Sequence, residues 1–259
     1  MNRLALLAMI IVFPTAVLAE TTETKRILFV GDSLSVGGFG VELEKGLAKI
    51  PDTQVARYAS CGSTVSHWFS GAVTVCGLRK SWPTATGQKF VAIDPRHCPR
   101  DKIKCGTDGG EWIVRPAATP IFSTLKIMGH EPDVTIIALG TNSFDSSREG
   151  LEIEIRRMIG AQKKKGGQCA WVGPPDIRQC AVSGGRHVTQ ADIEKIYTVL
   201  GIVTEEPAFS CQVVDSRKYA KFHAGPGDCL HVYTNTPSIA GPWATGVLKE
   251  LEPLTGTSE

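Results

Sequence analysis

Ser33, Asp228 and His231 are the residues of this chain best suited to bond-making chemistry. A serine hydroxyl attacks a carbonyl when a base within hydrogen-bond reach takes its proton, and that base needs a third group to hold its ring. Asp228 stands three residues before His231 in Gly227-Asp228-Cys229-Leu230-His231, a spacing that can put both side chains on one side of a turn. The carboxylate would then hold the imidazole tautomer that accepts the Ser33 proton. Taken alone, an acid three residues before a histidine is a common surface pattern. His97 has Asp94 at the same spacing, while the other histidines, His67, His130, His187 and His223, have no equally placed acid.

The elements around Ser33 suit such a role. Ile27 to Val30 are four apolar residues in a row, as a strand buried on both faces requires. Gly31 permits a sharp turn, and Asp32 or Ser33 can cap the helix that follows. Ser33 thus sits at a strand-to-helix junction, where unpaired N–H groups and the positive end of the helix favour developing negative charge. The plainer reading of this stretch is a capping serine, and distant segments must decide between the two.

Two further turns follow strands directly. Gln54 to Tyr58 reads as a strand and leads into Ala59-Ser60-Cys61-Gly62-Ser63-Thr64, a turn too rich in small residues to be core. Pro132 to Leu139 reads as the strongest strand and leads into Gly140-Thr141-Asn142. Between these come helical patterns over Val41–Ile50, Thr119–His130 (Ile121, Phe122, Leu125 and Met128 on one face) and Ser147–Lys165. Later strands at 169–173 and 212–215 flank a helix over 189–204, and a closing helix spans 236–251. Strands alternating with helices predict a parallel sheet covered on both faces, with sites at the carboxyl ends of the strands. All three turns should then open onto one edge.

The bounds are simple. A chain of 259 residues, 42% hydrophobic and 21% charged, fits one domain (20–259) after a leader. A formal charge of +2 gives no support to a nucleic-acid partner. Lys163-Lys164-Lys165 reads as the end of a helix, where cations are favourable. Met1 to Ala19 form an export signal: Arg3, an apolar run from Leu4 to Phe13, and Val17-Leu18-Ala19 before the cut. That run is shorter than the roughly 20 apolar residues of a membrane span, and no later segment qualifies. Export to the periplasm or beyond follows.

Eight cysteines in an exported chain suggest up to four disulfides, since no C-x-x-C pair favours a metal. About a hundred pairings are open. The sequence-local choice is Cys61–Cys76, Cys98–Cys105, Cys169–Cys180 and Cys211–Cys229.

From about residue 65 to 118 the regular pattern breaks down into a Gly- and Pro-rich insertion holding Trp68, Trp82 and Trp112. Phe90 to Ile93 and Trp112 to Val114 can pair as a hairpin. A functional loop or lid and a disulfide-stapled excursion both fit such a length, with exposed tryptophans tilting towards function.

Together, Gly31-Asp32-Ser33-Leu34, Gly62, Gly140-Thr141-Asn142 and Asp228-x-x-His231 resemble the four ordered blocks of the SGNH (GDSL-type) hydrolase superfamily. The resemblance implies a flavodoxin-like three-layer α/β/α sandwich with a parallel sheet, the insertion lying between its second and third strands. It implies Ser33 as nucleophile, His231 as general base and then acid, and Asp228 as its orienter. The oxyanion hole would be the N–H groups of Ser33 and Gly62 and the Asn142 side-chain amide. Ester hydrolysis through an acyl-enzyme follows, with no metal or cofactor. Two departures stand out. Ser143 takes the place of an acid frequent after the third-block Asn, a role then absent or moved to Asp145. Cys61 precedes Gly62 where an Asn-containing pattern is commoner. Asp32 reads as a support for the serine turn.

Such a fold does not choose a substrate. Trp68, Trp82 and Trp112 can stack on sugar faces, and Ser66, His67, Thr84 and Gln88 can bind hydroxyls. An acyl tunnel would need a more continuous apolar run. The expected partner is therefore a short-chain, acetyl-type ester on a carbohydrate or cell-wall glycan, handled by a monomer. The alternatives are a lipase- or lysophospholipase-type esterase, or an acyltransferase with the same triad.

Overall fold

A computed structural model describes residues 23–70, 78–93, 104–108, 111–114, 125–177, 180–181, 187–222 and 229–256. Expectations concerning Met1–Ala19, Cys76, Cys98, His97, His223, Ile121, Phe122 and Asp228 lie outside the described residues.

In chain order come β1 (Lys25–Gly31), α1 (Ser33–Val36), α2 (Gly38–Leu47), β2 (Thr53–Ser60) and α3 (His67–Ser70). The insertion supplies β3 (Leu78–Thr84), β4 (Gly87–Ile93), β5 (Lys104–Asp108) and β6 (Glu111–Val114). Then follow β7 (Val134–Ala138), α4 (Arg148–Lys163), β8 (Gln168–Val172), β9 (Asp176–Ile177), β10 (Cys180–Ala181) and β11 (His187–Val188). The chain continues through α5 (Gln190–Thr204), β12 (Gln212–Val214), β13 (Lys221–Phe222), α6 (Cys229–Thr234) and α7 (Pro237–Thr255).

The main sheet has seven strands in the order β12-β8-β7-β1-β2-β3-β4. The run from β12 to β2 is parallel, and β3 and β4 extend it antiparallel at one edge. Helices α2 and α7 pack on each other over one face, α4 and α5 over the other. This doubly covered sheet is why Ile27, Leu28, Phe29 and Val30 are at most 1% exposed. Burying each of these side chains stabilises the fold by about 1.5–3 kcal/mol. Under α7, Phe39 stacks on Trp243 with ring centroids 3.7 Å apart, and the Trp243 indole N–H donates to Ser216 Oγ at 3.0 Å.

Three expectations change. First, 90–93 does not pair with 112–114: β4 pairs with β3, and β6 with β5. The first insertion hairpin satisfies an edge of the main sheet, which an isolated hairpin would leave open. Second, residues 125–130 are not helical but a turn closed by an Ile127–His130 bridge. Met128 (φ 51°) and Gly129 (φ 84°) are both left-handed there, and Met128 is exposed. Third, Cys169 bonds Cys211, which overturns Cys169–Cys180 and Cys211–Cys229. Gln212 pairs with Ala170, so the two cysteines start adjacent parallel strands, with Cα atoms 4.7 Å apart despite a separation of 42 residues.

Among the described residues no helix is long and apolar enough to cross a membrane, and no group of three or more His, Cys, Asp or Glu is placed to hold a metal ion.

Candidate active site

Register brings the site turns together. Gly31 at the end of β1 pairs with Ala59 of β2 on one side and Ala138 of β7 on the other. The turns beginning at Asp32, Cys61 and Leu139 therefore leave the sheet at one level of one edge.

The first turn is held tightly. A Cβ on Gly31 would lie 2.0 Å from Ser35 Oγ, so glycine is required there by close approach rather than by a left-handed backbone. Asp32 caps α1: one carboxylate oxygen accepts from the Leu34 N–H at 3.0 Å. Its other oxygen accepts from Thr141 Oγ1 at 2.5 Å, which ties the first turn to the third. The Asp32 N–H donates to the Ala138 carbonyl at 3.2 Å. Ser33 follows, 5% exposed, as the first residue of α1.

Burial pushes the Asp32 carboxyl up to about 6; the Thr141 hydroxyl, the Leu34 N–H and the charge of His231 pull against it. His231 thus lies close enough for its charge to be felt at Asp32. The elements explain this proximity, since α6 packs on α1. Asn235, just past α6, donates its amide to the His231 carbonyl at 2.9 Å and accepts from the Gly38 N–H at 3.1 Å.

The second and third turns also meet. Gly62 is left-handed, with φ 75°. Asn142 donates one N–H of its side-chain amide to the Ser63 carbonyl at 3.1 Å, beside Gly62. Below it, the Trp171 indole N–H donates to the Leu139 carbonyl at 3.0 Å. Lys195 of α5 donates to the Phe144 and Ser146 carbonyls at 2.6 and 2.9 Å, clamping the same loop from the side. At position 143 the serine is buried and its hydroxyl donates to Glu154 of α4 at 3.3 Å. A carboxylate thus meets that position from a helix, and Asp145 itself is exposed.

No family model and no curated protein sequence matches this chain. Solved structures do. Est24, a carbohydrate acetylesterase from Sinorhizobium meliloti, superposes with a TM-score of 0.54 over 89% of this chain and 99% of its own, at 11% identity. An arylesterase candidate from Agrobacterium tumefaciens gives 0.53 over 89% and 99%, at 17% identity. An SGNH hydrolase candidate from Slackia heliotrinireducens gives 0.51 over 88% and 100%, at 13% identity. The chain has the SGNH hydrolase fold.

Within this SGNH fold, Asp32, Ser33, Gly62, Asn142 and His231 gather at one sheet edge, while Asp228 lies outside the described residues. Of the tryptophans, Trp68 and Trp82 do not present open faces together at that edge. Trp68 is 4% exposed, in the core, with its indole N–H on Ser63 Oγ at 3.2 Å, so it offers no open face. Trp82 pairs with Lys89 on β3, three residues along from Arg79, which pairs with Ala59 at the site level. At roughly 3.3 Å per residue, that places it about 10 Å down the sheet from the site edge. Thr84 and Gln88 lie farther along the same hairpin and are engaged there, Thr84 with the Gly87 carbonyl at 2.9 Å and Gln88 with the Val55 carbonyl at 3.0 Å. Trp112 stands in the β5–β6 hairpin, where only the backbone is described. Ser66 and His67 do stay near the second turn, Thr64 Oγ1 bonding Ser66 Oγ and His67 Nδ1, each at 2.8 Å.

Sequence reasoning gave Arg57 and Arg79 no role. Arg57 was visible as a charge in the inner strand Val55-Ala56-Arg57-Tyr58-Ala59, a placement that needs a partner. Nothing in the sequence marks Arg79 or Lys195.

Proposed function

We propose that this chain is a serine ester hydrolase that removes short acyl groups, above all acetyl, from a carbohydrate or cell-wall glycan. Ser33 Oγ attacks the ester carbonyl as His231 takes its proton, and Asp228 orients the imidazole. The tetrahedral oxyanion is held by the N–H groups of Ser33 and Gly62 and by Asn142. Collapse releases the alcohol, protonated by His231. Water, activated by the same histidine, then frees the acid. Donors of this kind are each worth about 2.7–4 kcal/mol in acyl transfer.

The observation that carries this reading is the shared level of Gly31, Ala59 and Ala138, which brings Ser33, Gly62 and Asn142 to one edge, where α6, the helix of His231, packs on α1. The acetyl preference draws on the likeness to Est24. Export after a leader ending at Ala19 is supported by the Cys169–Cys211 bond, since disulfides persist in oxidising compartments; residues 20–259 would then act as one monomeric domain.

The test is a p-nitrophenyl ester series from acetate to decanoate, run on the mature protein and on Ser33→Ala. Acetate should be cleaved best and the variant should be inactive. Full activity in Ser33→Ala removes the assignment; activity climbing steadily to decanoate removes the carbohydrate reading and favours a lipid ester.

A further inference from the structure

Helix α1 is a single turn, too short to satisfy its last carbonyls. Two arginines from neighbouring strands reach them. Arg57 of β2 directs Nη1 at the Ser35 carbonyl at 3.5 Å, and Arg79 of β3 donates Nη1 to the Val36 carbonyl at 3.3 Å. Cross-strand register puts both on the face under α1 and α2, since Arg57 pairs with Ser81 and Ala59 with Arg79.

Each carbonyl belongs to a peptide group whose N–H points back at the serine turn. The Val36 N–H donates to the Asp32 carbonyl at 3.1 Å, and the Gly37 N–H to the Ser33 carbonyl at 3.1 Å. The Asp32 carbonyl shares its peptide with the Ser33 N–H, an oxyanion donor under the proposed function. The Ser33 carbonyl shares its peptide with the Leu34 N–H, which donates to the Asp32 carboxylate at 3.0 Å. Two chains of polarised amides therefore run from a guanidinium to the peptides flanking Ser33. Such chains strengthen each member, more so out of water.

The placement is unusual enough to need a cause. Arg57 is 1% exposed and pairs with Glu44 of α2 at 2.9 Å, and Ser81 Oγ bonds the same carboxylate. Burying an ion pair costs several kcal/mol of desolvation per charge, and apolar residues of like volume commonly serve a core as well. A Cβ on Gly40 would lie 1.9 Å from the Ser35 carbonyl, so α2 presses on the same group from above.

The geometry points to Arg57 and Arg79 as positioning residues for the nucleophile turn, aligning Ser33 and polarising its N–H. The insertion thereby contributes to the site through Arg79. This rests on the proposed ester hydrolysis at Ser33.

The test measures p-nitrophenyl acetate hydrolysis, normalised to sites titrated by a fluorophosphonate, in Arg79→Gln, Arg79→Lys and the double variant Arg57→Met/Glu44→Met. The double variant exchanges the buried pair for apolar side chains and keeps the fold. Loss of alignment by an ångström costs up to about 100-fold, so kcat should fall about 10- to 100-fold in Arg79→Gln and in the double variant with KM unchanged. Arg79→Lys, which keeps a cation at the Val36 carbonyl, should recover most of it. Wild-type kcat per titrated site in both deficient variants overturns the inference while Ser33-dependent hydrolysis stands. A drop that disappears on normalising to titrated sites overturns it too. Wild-type protein with no Ser33-dependent hydrolysis sinks both readings.

Discussion

Replacing Asp32 by asparagine gives a direct measure of the site's electrostatics. The Asp32 carboxyl is 1% exposed, and burial lifts it from 3.8 to about 6. A group raised on folding stabilises the native state below its unfolded value, and that contribution is lost as pH rises through the folded value. A rise of about two units is worth about 3 kcal/mol in all. Of this, about 2 kcal/mol falls between pH 4.5 and 7.5 by the linkage relation. The asparagine carbonyl would still accept from the Leu34 N–H, and its amide could donate to Thr141, whose hydroxyl can also accept. Urea denaturation of the wild type and Asp32→Asn at both pH values isolates the term together with its coupling to His231, because titrating groups that do not feel Asp32 cancel in the difference. The wild type should lose about 2 kcal/mol relative to the variant on going from pH 4.5 to 7.5. In a His231→Gln background the loss should grow, since the neighbouring positive charge that favours ionised Asp32 is gone. A difference between the two proteins that does not change with pH would refute the reasoning.

Other outcomes follow from the same geometry. Asn142→Ala should lower kcat by about 100- to 1,000-fold with thermal stability little changed, as steady-state kinetics beside a melting curve would show. Cys169→Ser with Cys211→Ser opens a loop of 42 residues and should cost about 4 kcal/mol in denaturant titrations. Activity at 25 °C should persist, because Cys169 pairs with Thr135 at the end of the sheet away from Ser33. Trp82→Ala should leave KM for an acetylated oligosaccharide unchanged, since Trp82 stands below the site edge; a large rise in KM would restore its place in substrate binding.

Local sequence carried the strands and the turns at their ends. Ile27–Val30 and Val134–Ala138 are apolar almost without a break because both faces of an inner parallel strand are buried, and that requirement is written residue by residue. Where such a run stops at a glycine or small residue, the strand stops, so Gly31-Asp32-Ser33, Cys61-Gly62 and Gly140-Thr141-Asn142 could be read as turns at strand ends. Tertiary structure decided the rest. Cys169 meets Cys211 because β8 and β12 are neighbours in the sheet, and local spacing carries no trace of strand order. Trp68 went to the core and Trp82 to β3, one strand in from the sheet's edge, since a large ring is equally suited to covering a sheet or facing a ligand. The apolar positions over 119–130 suggested a helix, but Met128 and Gly129 are left-handed and end any helical turn there. Arg79 reaches the serine turn only because the insertion adds antiparallel strands beside β2, a pairing set by register across the sheet and not by any residue near Ser33. Sequence by itself determined which residues can do chemistry and at which strand ends they stand; the sheet's strand order and register decided which other side chains stand behind them.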